Sequence, residues 1–294
     1  MDTNKLVSIV FTVLCVGGFV ALMIAAIWKV SRQKRANKPI LKQQGALLPQ
    51  WAGRHGFTYA AQDDRALGIS SRPPLGEMTT ATEKQGGVHT LHWAQVSATF
   101  ENIKAPEWVR AEHVMNGSVG GRQAVVFQYH LRPEPGDDDV DGVVGLIMHL
   151  LVGRHIQRKM QDVDEVFRTV VAVRLPGSTP FLAVAPKPPG SKLVEGRGLR
   201  DMKLEHHGFN EKFLVHSQLD RFSLDVLHSQ TIEWMMGEPL LQDSGFLNRV
   251  GFVVDNGWCY LMGMSALDAG RLDAQLALVE QFVSRIPRHV WAGN

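Results

Sequence analysis

The chain has 294 residues, 45% of them hydrophobic and 20% charged, with 31 Lys/Arg against 29 Asp/Glu for a formal net charge of +2. The first 42 residues hold seven Lys/Arg and one Asp, a net of +6, so residues 43–294 hold 24 basic and 28 acidic residues, a net of −4. The larger part therefore has no basic stripe interleaved with aromatics, which excludes a nucleic-acid partner. Its two cysteines, Cys15 and Cys259, lack a CxxC or metal-type neighbour and so imply no disulfide framework.

Leu6 to Trp28 is a run of 23 residues without Asp, Glu, Lys or Arg. As a helix it would reach about 34 Å, enough for a hydrocarbon core of about 30 Å. Backbone amides in lipid must pair internally, so a transmembrane helix is expected. The competing reading is a cleaved signal peptide. Against it, the apolar core is long and runs past Ala26 straight into Trp28-Lys29.

Lys29, Arg32, Lys34, Arg35, Lys38 and Lys42 follow the run, whereas Lys5 alone precedes it, opposed by Asp2. The excess of cations predicts a single-pass protein of the plasma (inner) membrane, N-terminus out and C-terminal domain cytoplasmic. The same cations could also touch anionic headgroups. Residues 1–42 are thus expected to be an anchor and linker, and residues 43–294 a cytoplasmic domain. Leu6, Trp28, Lys29, Arg32, Lys34, Arg35 and Lys38 are the residues expected at the membrane.

Gln43 to His55 reads as a short helix ending near Gly56, with a strand beginning at Phe57-Thr58-Tyr59. Arg72-Pro73-Pro74 and Gly76 mark a loop, and Val88 to Val96 is strand-like. His113 to Leu131 is the clearest β signal, a hairpin about Gly120-Gly121. After the turn Val125, Phe127, Tyr129 and Leu131 alternate with Ala124, Val126, Gln128 and His130, the period of a half-buried strand.

Residues 132–165 interrupt the pattern as an insertion. It opens with Pro133, Pro135 and an acidic run, and continues with the apolar stretch Val143 to Val152, too short to span a bilayer. This stretch predicts a helix covering the sheet, or else one lying on the membrane or on a partner. Asp137-x-Asp139-x-Asp141-Gly142 resembles the opening of a calcium loop, but Met148 stands where the bidentate Glu belongs. A solvated acidic turn at a helix N-terminus is the better account.

Phe167 to Leu175 and Phe181 to Ala185 read as strands with a turn at Pro176-Gly177-Ser178. Pro186 to Gly198 is loop, and Lys212 to His216 a short strand. One helix is expected from Asp220 to Met236, stopped by Gly237 and Pro239. Gly251 to Met262 is a second hairpin about Asn256-Gly257, and Asp268 to Arg285 a helix striped by Leu272, Leu276, Val279, Phe282 and Val283. The expected fold class is α+β: a transmembrane helix, then a mainly antiparallel sheet built from hairpins and packed with helices.

Chemical signatures are missing. Gly263-Met264-Ser265-Ala266-Leu267 lacks the closing glycine of a nucleophile elbow, and Asp201 stands where a dinucleotide loop needs its third glycine. His206-His207 with His216 and His228 is the densest histidine group. If His206 and His207 lie on a strand, they face opposite ways and do not share a metal. Neither a cofactor nor a metal is expected. Trp234, Met235 and Met236 read as core rather than pocket.

Several stretches carry a resemblance. They are Phe209-Asn210-Glu211-Lys212-Phe213-x-Val215, Asp220-Arg221-Phe222-Ser223-x-Asp225-Val226-Leu227, Ile232-Glu233-Trp234-Met235-Met236 and His113-Val114-x-x-Gly117 leading to Phe127-x-Tyr129. Val171-Ala172-Val173-Arg174-Leu175-Pro176 and Arg285-Ile286-Pro287 complete the set. Together, scattered from Trp51 to Trp291, they resemble uncharacterised single-pass membrane proteins of high-GC Gram-positive bacteria that carry a domain of unknown function. The resemblance implies a membrane-tethered soluble domain with no assigned activity or site residues, and makes 132–165 this chain's own elaboration.

The function expected is a membrane-anchored interaction module, non-catalytic, whose partners are the lipid bilayer and either a protein or anionic headgroups. The alternative is an enzyme at the inner leaflet that assembles Glu211, Asp220, His216 and Arg221.

Overall fold

The computed structural model describes residues 35, 37–69, 106–133, 165–186, 202–242, 250–263 and 265–290. The chain divides into two units, Met1–Pro39 and Ile40–Asn294. Residues 37–54 are helical, and the part from residue 40 onward, α1, opens the second unit.

The expected single-pass architecture is corrected. Among the described residues no helix is long and apolar enough to cross a membrane. The helix over 37–54 carries Lys38, Lys42, Gln43, Gln50 and Arg54 exposed, the pattern of a helix with one wet side. Leu6 to Trp28, with Lys29, Arg32 and Lys34, lies outside the described residues, whereas Arg35 and Lys38 are helical and exposed. What the structure shows is a mainly antiparallel eight-stranded sheet with helices.

The strands are β1 (Thr58–Gln62), β2 (Pro106–Val119), β3 (Arg122–Pro133), β4 (Val166–Arg174), β5 (Leu182–Pro186), β6 (Phe213–Ser217), β7 (Val250–Asp255) and β8 (Trp258–Gly263). Their order is β1-β2-β3-β4-β8-β7-β5-β6, and the paired neighbours run antiparallel. Two local signals place the hairpins. Gly120 and Gly121 adopt φ of 55° and 75°, Asn256 and Gly257 of 49° and 74°, as a two-residue type I′ loop requires.

The hairpin expected at Pro176-Gly177-Ser178 is corrected. β4 pairs with β8 and β5 with β7, so the second hairpin is seated between them. The Leu175 amide donates to the Gly257 carbonyl at 2.8 Å and the Gly257 amide to Thr179 Oγ1 at 3.3 Å, so the loop arches over the hairpin tip.

Helices cover one face. They are α1, α2 (His207–Lys212), α3 (Asp220–Val226), α4 (Ser229–Gly237), α5 (Pro239–Gln242) and α6 (Leu272–Arg285). Leu48 and Trp51 of α1 and Leu276, Val279, Phe282 and Val283 of α6 pack with Val126, Val171, Phe252 and Leu261 in one buried cluster. Phe252 and Phe282 stack at 4.2 Å between ring centroids. Phe57 lies over Gly117, where a Cβ would come within 2.6 Å of the ring.

The opposite face carries Val125, Phe127, Tyr129, Val170, Ala172, Val253, Tyr260 and Met262, all buried, with Ala66 and Ile69 from a 3-10 turn over Asp64–Ile69. The period of two sets this division, because Phe127, Val170 and Met262 lie in register across three strands.

The single helix expected from Asp220 to Met236 is broken at Leu227-His228. Ser223 Oγ bonds back to the Asp220 carbonyl at 3.0 Å, a contact that competes with the helix ladder. His228 leaves the helix with φ −68° and ψ 169° and donates from Nε2 to the Arg285 carbonyl at 3.1 Å. It thereby satisfies a carbonyl at the end of α6. A tertiary bond outweighs local helix propensity here.

Candidate functional site

A bulge in β2 builds the site. Up to Glu112 the even-numbered residues of β2 face the helices, but the register shifts between Glu112 and Met115, and from there the odd-numbered ones do. His113, at φ 51°, absorbs the extra residue, and the Tyr59 hydroxyl is hydrogen-bonded to its Nδ1 at 2.7 Å. Trp108, Arg110 and Glu112 are thereby set on the same face as Gln128 and His130 of β3 and Phe167 and Thr169 of β4. This is the end of the sheet where β2 begins, β3 ends and β4 begins.

The hydrogen bonds form a chain. Gln44 Nε2 donates to Gln128 Oε1 (2.6 Å) and to the Leu267 carbonyl (2.7 Å), and the Leu267 amide donates to Gln128 Oε1 (3.1 Å). Gln128 Nε2 donates to Glu112 Oε2 at 3.2 Å, and His130 Nδ1 meets Glu112 Oε1 at 2.8 Å. Beyond the ring, Glu165 Oε2 lies 3.5 Å from Nε2. Trp108 abuts the imidazole edge-on at 4.7 Å, Phe167 lies at 4.3 Å, and the Arg110 guanidinium rests 4.5 Å over the Trp108 ring.

The His130 hydrogen bond holds the Glu112 carboxyl below its ordinary value, against the opposing effect of burial. Burial lowers His113, with Glu112 opposing. Among the described residues, His130 Nε2 and Gln275 Oε1 are the buried side-chain polar atoms without a hydrogen-bond partner. The two residues are 7% and 4% exposed. Gln275 lies by Gly263, which pairs with Thr169, so both orphans sit on the helix-covered face toward this end.

The other face holds one further anomaly. Arg168 stands in register with Tyr129 among apolar neighbours and donates from Nη1 to the Phe167 carbonyl at 3.1 Å. Part of the side chain reaches solvent. Its guanidinium is nevertheless enclosed enough that burial pulls it down to about 10, Tyr129 opposing, so it is still a cation at neutral pH.

The residues of the enzyme alternative fall elsewhere. Glu211 is exposed on α2, where it pairs with His207 at 3.5 Å; Asp220 and Arg221 are exposed on α3; and His216 is half-buried on β6. His206 and His207 lie on no strand: His206 is the N-cap of α2, its Nδ1 accepting from the Phe209 amide at 3.0 Å. No group of three or more His, Cys, Asp or Glu able to hold a metal is found among the described residues. Met235 is core, and Trp234 is half-buried beneath Arg285 at 4.4 Å. Cys259 is buried, which pushes its thiol up.

No site residue was singled out as such in the sequence. The available signal was the pair Gln128 and His130 within the otherwise hydrophobic stretch Ala124 to Leu131.

No family model matches the chain, and no curated protein does. Among solved structures it is similar to the crystal structure of the mycobacterial trehalose monomycolate transport factor A, TtfA, at 13% identity and a TM-score of 0.44. The similarity covers 83% of this chain and 94% of that one. That neighbour comes from a high-GC Gram-positive organism. At this distance no residue role passes between the two proteins.

Proposed function

We propose that residues 40–294 form a protein-interaction module that docks its partner on the sheet end bearing Trp108, Arg110 and Phe167. The observation that carries this reading is His130 Nε2, buried and unpartnered directly behind these residues. Leaving such an atom unmade costs about 1–3 kcal/mol, and groups kept at that cost mark function more often than architecture. Trp and Arg are the anchor types of binding hot spots. Here the indole holds the guanidinium in place before any encounter. Both Glu112 oxygens already receive donors, so the carboxylate serves as an internal acceptor and not as a base.

The test is a photo-crosslinking residue placed at position 108 of the full-length chain in cells, with position 123 at the opposite sheet end as control. The expected result is a discrete protein adduct from 108 that Arg110→Glu abolishes, with none from 123. Adducts from neither position, or equally from both, would count against the reading.

A second reading has one observation in its favour. Leu219 and Leu224 are 51% and 52% exposed and flank Arg221 on α3, a combination suited to anionic headgroups. Flotation of the chain with phosphatidylglycerol vesicles, lost in Leu224→Ser, supports that contact. Unchanged flotation in the variant removes it.

A further inference from the structure

Resting on that docking reading, we infer that the partner anchors to this end with a lysine-type ammonium, presented to His130 Nε2 beside Glu165. The direction of every proton in the network leads there. A backbone amide can only donate, so the Gln128 atom facing the Leu267 amide is its carbonyl oxygen. That turns the Gln128 amide nitrogen toward Glu112 Oε2, where it donates. Glu112, held ionised, accepts only, so the proton of the His130–Glu112 bond resides on Nδ1. In the neutral form the imidazole carries that one ring proton alone, which leaves Nε2 with a bare lone pair.

The lone pair selects its ligand. An anion is repelled by it and by the Glu165 carboxylate 3.5 Å away. An apolar group would leave the nitrogen unpaired. A cationic donor satisfies the lone pair and the carboxylate together.

Among the described residues the charges facing the ring are Glu112 and Arg110 from β2, Arg132 from β3 and Glu165 ahead of β4, with His113 bonded to Tyr59 on the far side of Glu112. Arg110 and Arg132 are exposed and screened, and Arg110 is engaged on Trp108, whereas the Glu112 side chain is only 24% exposed. The balance of these described charges at Nε2 is therefore negative. One acceptor nitrogen and one carboxylate suit a compact ammonium better than a planar guanidinium, whose fork prefers two parallel carboxylate contacts. Glu165, 48% exposed, links the buried nitrogen to the surface by which the ammonium arrives.

The test is long-range proton–nitrogen NMR of the histidine rings in the full-length chain at pH 8, with His130 assigned through His130→Gln. The expected result is a protonated Nδ1 and a lone-pair Nε2 that n-butylammonium shifts saturably and pentanoate does not. Glu165→Gln, an exposed change that leaves the fold intact, should weaken the n-butylammonium response roughly tenfold. A proton on Nε2, an Nε2 resonance unmoved by n-butylammonium, or equal affinity in Glu165→Gln would overturn the inference. The ring resonances are read on the isolated chain, so this failure is distinct from a missing adduct at position 108.

Discussion

The centre and one end of the same sheet are closed by different physics. At the centre, the β7/β8 hairpin buries every strand residue, and its helix-side surface is filled by apolar volume, Phe252 against Phe282 and Leu261 against α6. At the end bearing Glu112 and His130, closure depends on hydrogen-bond direction, because Gln44, Gln128, Leu267, Glu112 and His130 each fix the next. Volume tolerates small errors. A directional chain does not, and this one stops at His130 Nε2, a buried atom that makes no hydrogen bond. The comparison teaches that the apolar centre supplies stability and the polar end holds what stability does not need.

The largest effect expected is at the centre. Phe282→Ala removes a fully buried, stacked ring and should cost about 3–5 kcal/mol in denaturant unfolding. A loss under about 1 kcal/mol would mean that α6 does not seal the core. Next is Gln128→Ala, which removes one of the two bonds from Gln44 Nε2 and strands the Leu267 amide and one Glu112 oxygen. It should cost about 2–3 kcal/mol by the same measurement. A neutral result would sever the network from the fold.

Arg168→Met sharpens the contrast from the opposite face. Replacing an enclosed cation that has no carboxylate partner among the described residues by an apolar side chain of similar length should be neutral or raise stability by about 1–2 kcal/mol. A marked loss would show that the guanidinium holds the sheet together.

The smallest effect concerns acid. Glu112 and His113 are both lowered in the folded state, so the unfolded chain binds more protons and stability falls as pH falls. The His113 contribution declines below the ordinary 6.5. The Glu112 contribution is fully present above the ordinary 4.5 and is lost as pH drops through its lowered folded value. Glu112→Gln should flatten the acid limb below 4.5 while keeping and deepening the His113 limb, because it removes the charge that opposes burial there, which melting temperatures across pH 3 to 8 would show.

What the sequence revealed follows the same division. The hairpins at Gly120-Gly121 and Asn256-Gly257 were legible because positive φ is a local demand. The stripe of α6 was legible because Leu272, Leu276, Val279 and Phe282 repeat on one side. The alternation of β3 even displayed Gln128 and His130. Their meaning was hidden, since Gln44 and Leu267 lie 84 and 139 residues from Gln128. The seating of the second hairpin between β4 and β5 is a non-local choice. The break at His228 depends on a carbonyl 57 residues away, and the bulge at His113 on a hydroxyl 54 away. The transmembrane expectation arose from Leu6 to Trp28 and finds no counterpart among the described helices.

Hydrogen exchange of the full-length chain, alone and in the complex captured from cells, tests the contrast most directly. The account predicts slowed exchange at residues 108–112, 128–132 and 165–169 in the complex and no change across 250–263. Protection spread evenly over the sheet, or confined to the β7/β8 hairpin, would contradict it.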